Sequence, residues 1–418
     1  MTYPNSIIEC NGSTLSLIKQ DGLKYLMVQG LSEVFNAFAG DTVAEGKKRC
    51  PLTNANAKAL QKYLSYVAPS SHKGHPFTLG LGDRLGLASP GHIRLVKDMD
   101  IFPIFAQQSI RELNLTHRTY EDVMSSAIWA VFQEGYKKGW GADGDHLKNR
   151  EEVRMALDAG FTMITLDCSE HMPNGLGAVV EFAAAIYNEF IKGSEIDFEL
   201  SIDETTKTTS PEDHRFVASE LKKQGVLITS LAPRFCGEFQ KGIDYIGDIG
   251  EFEKEFAEHA SLAAEYGYKL SVHSGSDKFK VFPAVFKHSN KNVHLKTAGT
   301  NWLEALRVIA QKEPALFRHI FIMAMYCLPD AKRYYVITEN TGNIPDIEKL
   351  SDDELPGLLN KNDPRQVLHI TYGPVLDEYK KEIYDALNKN EEGYYSALEV
   401  HIKKHIYINS EFGIRNSE

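Results

Sequence analysis

Gly141-Ala142-Asp143-Gly144-Asp145-His146-Leu147-Lys148 packs two carboxylates, an imidazole and an ammonium into one short stretch. Asn149 follows, with Glu152 three residues on, the reciprocal pair that opens a helix. The polar cluster therefore stands where a strand ends and a helix begins. In parallel α/β proteins that junction is where chemistry collects. Alone, the stretch reads equally well as a polar turn with a helix cap. Its weight comes from repetition of the same unit along the chain.

Working outward, strands are predicted over Phe77–Leu81, Ile101–Ala106, Gly139–Leu147, Phe161–Leu166, Ile196–Ile202, Val226–Leu231, Tyr268–Val272 and Val293–Leu295. Helices separate them. Thr119 with Asp122 opens one that closes at Gly135. Arg150–Ala159 stops at Gly160, and Leu176–Ile191 at Gly193. Ser210-Pro211 with Asp213, and Asp248 with Glu251, open two more. Eight strands alternating with helices over roughly 230 residues predict a (β/α)8 TIM-like barrel. An open doubly wound sheet is the alternative, but no G-x-G-x-x-G follows a strand.

The barrel is expected over residues 75–302. Residues 1–74 form an N-terminal extension, with short strands in Thr14–Gln29, a helix in Asn54–Val67 and a linker at Ser70–Gly74. Residues 303–418 form a mostly helical C-terminal extension: Leu303–Leu328, Tyr379–Leu387 and Tyr394–Ile408, with a strand at Tyr334–Thr338. This extension packs on the barrel or on a second copy of the chain as a homo-oligomer.

Met1–Asn11 lacks the basic start and apolar run of a signal peptide, and no stretch is apolar enough to span a membrane. Five scattered cysteines without a CxxC pair point to a reducing cytoplasm and against a thiolate zinc site. Cys168 reads as a small buried residue rather than a nucleophile. A net charge of −11 without clustered Lys/Arg argues against nucleic acid, while leaving room for a small anionic substrate in a locally positive pocket.

In a barrel, the strand ends converge on one face. Asp145, His146 and Lys148, then Asp167, Glu170 and His171, Asp203 and Glu204, His273, and His294 with Lys296 would share one mouth. Several histidines and carboxylates there have the composition of a divalent-metal site. Nitrogen and oxygen ligands suit Zn, Mn, Ni, Co or Fe(II). His146, His273 and His294 are the expected ligands, with Asp167, Glu170 and His171 as the alternative source. Asp145 and Glu204, on different walls, are the candidate acid–base pair. Each residue also has a plainer reading: a hydrogen-bonded core histidine, a solvated strand end or a surface charge.

Four strings, Phe77–Gly86, Ala106–Leu113, Gly141–Lys148 and Thr165–His171, resemble the tagaturonate/fructuronate epimerase family of hexuronate catabolism. His369-Ile370-Thr371-Tyr372-Gly373 extends the resemblance toward the C-terminus. It implies a divalent-metal-dependent enzyme that interconverts D-tagaturonate and D-fructuronate by inversion at C4. C4 is not alpha to the ketone, so enolisation alone cannot epimerise it. Two routes remain: retro-aldol cleavage of C3–C4 with recombination, or direct proton exchange with Asp145 as acceptor and Glu204 as donor. Arg84, Lys148 and Lys296 are expected to hold the uronate carboxylate, with Gln108 and Asp167 as further polar contacts to the substrate. The competing readings are a metal-dependent sugar isomerase or aldolase acting on a keto-sugar acid, and a non-catalytic sugar-acid sensor.

Overall fold

Asn11-Gly12 and Asp21-Gly22 both adopt left-handed backbone, each closing a two-residue hairpin. A computed structural model of the chain describes residues 1–72, 74–205 and 207–406. The hairpins join β1 (Ile8–Cys10), β2 (Ser13–Gln20) and β3 (Leu23–Gln29). With β4 (Asp41–Ala44) and β5 (Lys47–Pro51) they form an antiparallel sheet in the order β1-β2-β3-β5-β4. Leu15, Leu17, Leu26 and Val28 alternate onto its buried face. The helix Asn54–Tyr63, capped by the Thr53 side chain, adds Ala57 and Leu60 to the same core.

Eight parallel strands then close on themselves. They are β6 (Phe77–Leu81), β7 (Phe102–Ser109), β8 (Gly141–Leu147), β9 (Met163–Asp167), β10 (Asp197–Ile202), β11 (Ser230–Pro233), β12 (Lys269–Val272) and β13 (Val293–Thr297). Each pairs with the next, and β13 pairs with β6. This is the expected (β/α)8 barrel. The largest boundary difference is at β11. Val226 belongs to a helix stop, because its N–H reaches back to Leu221 O after Gly225 turns left-handed. The predicted linker plugs the bottom of the barrel: Asp197 accepts from the His72 N–H (2.6 Å) and the Ser71 hydroxyl (2.9 Å), and Lys269 Nζ donates to His75 O (2.6 Å). Lys73 of that linker lies outside the described residues.

The C-terminal part is helical: Thr300–Lys312, Pro314–Ala331, Asn362–Ile370, Tyr372–Lys389 and Glu391–Ile406. Residues 407 and 408 of the last predicted helix lie outside the described residues. Trp302, Leu306, Phe317, Leu359, Tyr372 and Leu376 build a second core there, joined by Leu85 and Ala88 from the loop after β6. Tyr334–Thr338 is not a strand but irregular chain, and it presents Tyr335 to Tyr372 (hydroxyl to hydroxyl, 3.0 Å). No strand lies beside it among the described residues, so its alternation has no ladder to join. All five cysteines are free and buried. Among the described residues no helix is long and apolar enough to cross a membrane.

One buried carboxylate ties the two ends of the chain. Glu391 accepts from Lys19 Nζ (2.6 Å), from Tyr3 Oη (2.9 Å) and from Tyr395 Oη (2.9 Å), with Lys24 Nζ at 3.0 Å. Burial opposes its ionisation, but the two lysines hold its pKa at about 2. A depressed carboxylate pKa stabilises the fold above the unfolded value, and that stability is lost as pH falls toward 2. Glu391→Gln is expected to cost about 3 kcal/mol at pH 7. The cost should shrink through the pH 4.5 to 2 window in denaturant titrations. An equal loss at every pH would show that the charge is immaterial.

Candidate active site

The barrel interior is polar where such barrels usually carry branched aliphatic layers. The reason lies in strand alternation. In β10, Phe198, Leu200 and Ile202 belong to the apolar core, while Glu199 bonds across the lumen. Asp143 and Asp145 of β8, Thr165 of β9 and Lys296 of β13 do the same. Lys296 Nζ is the hub, 2.8 Å from Asp143 Oδ2, 2.7 Å from Asp145 Oδ1 and 2.9 Å from Glu199 Oε1. Thr165 Oγ1 donates to Asp143 Oδ1 (2.9 Å). Burial, aided by Asp145 and Glu199 and opposed by Lys296, pushes the Asp143 carboxyl up to about 6. Against the same burial, Lys296, His146 and His273 hold the Asp145 carboxyl below its ordinary range.

A bulge shapes the mouth above this hub. The β8–β9 register shifts between Gly144 and Leu147, and His146 sits at φ 52°. A histidine in left-handed backbone is uncommon. Here it breaks the two-residue alternation, so Asp145 and His146 both line the same cavity. His273, at the end of β12, meets His146 edge to face with centroids 4.8 Å apart. His273 Nε2 lies 2.7 Å from Glu199 Oε1 and its Nδ1 lies 3.2 Å from Asp203 Oδ2. Nitrogen and oxygen atoms of His146, Asp203 and His273 all fall within 4.8 Å of one another. Asp167, fully buried, approaches His146 Nδ1 at 3.8 Å. Burial opposes protonation of both imidazoles. Asp145 and Asp167 nevertheless raise His146 to about 10, and Asp203 raises His273.

The fit to a cation can be tested on these residues. Glu199 engages His273 Nε2, which leaves Nδ1 toward Asp203 and available to an ion once it gives up its proton, the carboxylate–histidine arrangement common behind metal ligands. His146 Nδ1, His273 Nδ1 and Asp167 Oδ2 are buried without hydrogen-bond partners. Asp143, Asp145, Asp167, Glu199 and Asp203 outnumber the lysines that reach them, Lys296 and the more exposed Lys148, and the two imidazoles face the remainder, where an ion could replace their protons. These residues fit a divalent cation. A second grouping, Asp277 with His401 and His405, fits poorly. Arg365 is bonded to Asp277, and the Asp277 N–H donates to His405 Nε2 (2.9 Å). That cluster ties the last helix to the loop after β12.

The predicted residues divide. Arg84, Asp145, His146, His273 and Lys296 line one cavity of about 610 Å³, measured to its open rim. His294 stands apart. It is fully buried lower in the lumen, its Nδ1 at 2.8 Å from Thr78 Oγ1, and burial pushes it down to about 3. Asp203 takes its place in the grouping. Glu204 lies outside the lining, 37% exposed and 3.6 Å from Arg111. Lys148 pairs with Glu170 (3.1 Å) and Asp167 (3.7 Å) rather than facing the cavity. Gln108 turns to Glu112 (3.0 Å), and its neighbour Gln107 faces the cavity instead. Thr165 and Glu199 were missed, although each breaks an apolar run at an alternate position, and Asp143, part of the opening cluster, was not assigned to the site. Tyr335 and His369, from the C-terminal part, complete the wall.

A family model described as tagaturonate epimerase matches residues 3–179 and 175–408. The chain belongs to the tagaturonate epimerase family. A relative from Thermotoga maritima, the tagaturonate/fructuronate epimerase, is 38% identical across 97% of this chain and 96% of its own length. Native fructuronate-tagaturonate epimerase UxaE from Cohnella laeviribosi superposes with a TM-score of 0.94 at 43% identity, covering 98% of this chain and 96% of that one. Its form with one glycerol superposes at 0.95. As a member of this family the chain is an epimerase, an enzyme of the isomerase class.

Lys296→Met would leave Asp143, Asp145 and Glu199 facing one another without their shared cation. In this epimerase it is expected to cost about 3–5 kcal/mol at pH 7, read by thermal or urea unfolding. The freed carboxylates would then titrate above their unfolded values, so the deficit should narrow as pH falls toward 5. A fully stable Lys296→Met protein would contradict the hub.

Proposed function

We propose that the protein interconverts D-tagaturonate and D-fructuronate by inverting C4, in a cavity where His146, His273 and Asp203 hold a divalent cation. The observation that supports this best is the orientation of His273. Glu199 occupies one nitrogen, and the other faces Asp203 Oδ2 at 3.2 Å beside the His146 ring. Nitrogen and oxygen donors without thiolate suit Zn, Mn, Ni, Co or Fe(II). When bound, such an ion supplies Lewis acidity to the ketone and an adjacent hydroxyl of the substrate. The five buried thiols fit a reducing cytoplasm.

The chain's own residues favour the retro-aldol route. That route needs one base on the C4 side, and Asp145 lines the cavity with one carboxylate oxygen fixed by Lys296. Asp145 takes the C4 hydroxyl proton as the C3–C4 bond breaks. The electron pair of that bond moves into C2–C3, leaving an enediolate and an aldehyde. The aldehyde turns over, C3 attacks its other face, and the proton returns to the new C4 oxygen. Proton exchange at C4 would instead need a donor on the opposite wall. Glu204, turned toward Arg111 and outside the lining, is poorly placed for it.

Elemental analysis after purification tests the cation. His146→Ala, His273→Ala and Asp203→Asn should each lose metal and at least about 100-fold in activity. His294→Ala should keep its metal. Metal lost only from the His294 variant would overturn the assignment. Turnover in deuterated water tests the chemistry: the product should carry no deuterium at C4, and incorporation there would exclude carbon–carbon cleavage.

A further inference from the structure

One end of the cavity carries positive charge that the chain does not balance. Arg84, Arg111, Lys241 and Lys278 line it together with His369. The acids that line the cavity are Glu112 and Asp145, and each already has a partner: Arg84 for Glu112 (2.9 Å) and Lys296 for Asp145 (2.7 Å). Lys241 Nζ meets the Ser274 hydroxyl at 2.7 Å and has no carboxylate partner among the described residues. Arg111 lies 3.6 Å from the half-exposed Glu204 and leaves a buried Nε without a partner. Burial, and then the nearby Arg84 and Lys241, push His369 well below its ordinary value. Burial, and then Arg111, lower Lys241.

The loop bearing Lys241 is held on both sides. Lys278 Nζ donates to Gln240 O (2.9 Å) and Ile243 O (2.7 Å), which spends that cation on the backbone. Arg365 Nε donates to Gly242 O (2.7 Å). Gln240 Oε1 accepts from Thr338 Oγ1 and Gln366 Nε2, both at 2.9 Å. An ammonium fixed in this way and left without an anion is preorganised for a ligand. Arg84 is equally fixed. Its guanidinium stacks 3.7 Å from the Tyr372 ring centroid, and Nε and Nη1 are bonded to Glu112 and His369 O. Gly299 keeps the corner open. A Cβ there would lie 2.0 Å from His369 Nε2 and 3.0 Å from Arg84 Nη2.

We propose that Lys241, with Arg84 Nη2 and Arg111, seats the carboxylate of the substrate and selects a keto-uronate over the neutral ketose of the same chain. This builds on the keto-uronate reading above and moves the carboxylate clamp away from Lys148 and Lys296. The substrate would lie with its keto end toward His146 and His273 and its acid end under the C-terminal helices.

The test compares wild type, Lys241→Met and Lys241→Arg with D-tagaturonate and D-tagatose, using calorimetric binding and steady-state kinetics. Lys241→Met should weaken tagaturonate binding and raise KM about 30-fold, the effect of one lost charge-assisted hydrogen bond, with a smaller change in kcat. Its affinity for tagatose and its metal content should not change, and Lys241→Arg should restore most of the uronate affinity. Tagaturonate bound as tightly by Lys241→Met as by wild type would overturn the proposal. So would equal losses for the two sugars. If wild type bound tagaturonate without turning it over, the functional reading would fail while the binding comparison still decided the seat.

Discussion

Lys296 makes the rest of the site affordable. One ammonium inside the barrel holds Asp143, Asp145 and Glu199, from β8 and β10, within 2.9 Å. Without it, three carboxylates would face one another in a space closed to water, at a cost no ordinary core could absorb. With it, the buried carboxylates still outnumber the buried lysine. That remainder raises the imidazoles of His146 and His273 at the barrel's C-terminal rim, where the proposed cation would sit. The interior trades the aliphatic packing usual for this architecture for an electrostatic scaffold beneath the mouth.

Two backbone choices convert that scaffold into a cavity. The bulge at His146 places adjacent side chains on one surface, so the proposed base Asp145 and a candidate ligand come from the same strand end. The C-terminal helices then close one side. They bring Tyr335 and His369 to the wall and fix Arg84 against Tyr372. The cavity thus has a negative pole, suited to a cation and the keto end of a sugar, and a positive pole, suited to an acid. Glu391 and the Asp277–His401 pair hold the last helix in place at two points.

Much of this was legible in the sequence. The strand–polar end–helix repeat identified the barrel because buried parallel strands and capped helices leave strong local patterns. Asp145, His146 and His273 were legible because they stand at strand ends. His294 was misplaced: it lies inside β13, one layer below the rim, where alternation points it into the lumen but beneath the grouping. Glu199 was overlooked because apolar neighbours mask a single polar residue within a buried strand, and Asp143, though part of the opening cluster, lies a layer below the strand end on which the reading concentrated. The bulge was invisible, since no glycine marks the left-handed position. Lys241, Tyr335 and His369 lie far from any strand end in sequence, and only tertiary packing brings them to the cavity. The unpaired state of Lys241 is likewise a property of the fold alone.

A cation between His146, His273 and Asp203 would meet the excess of carboxylate at the rim. Anomalous diffraction from crystals of the purified protein, recorded at the absorption edge of whichever ion elemental analysis identifies, tests it most directly. The account predicts one peak within coordination distance of both imidazoles and of the Asp203 carboxylate. A peak at Asp277, His401 and His405 instead, or at His294 low in the lumen, would contradict it.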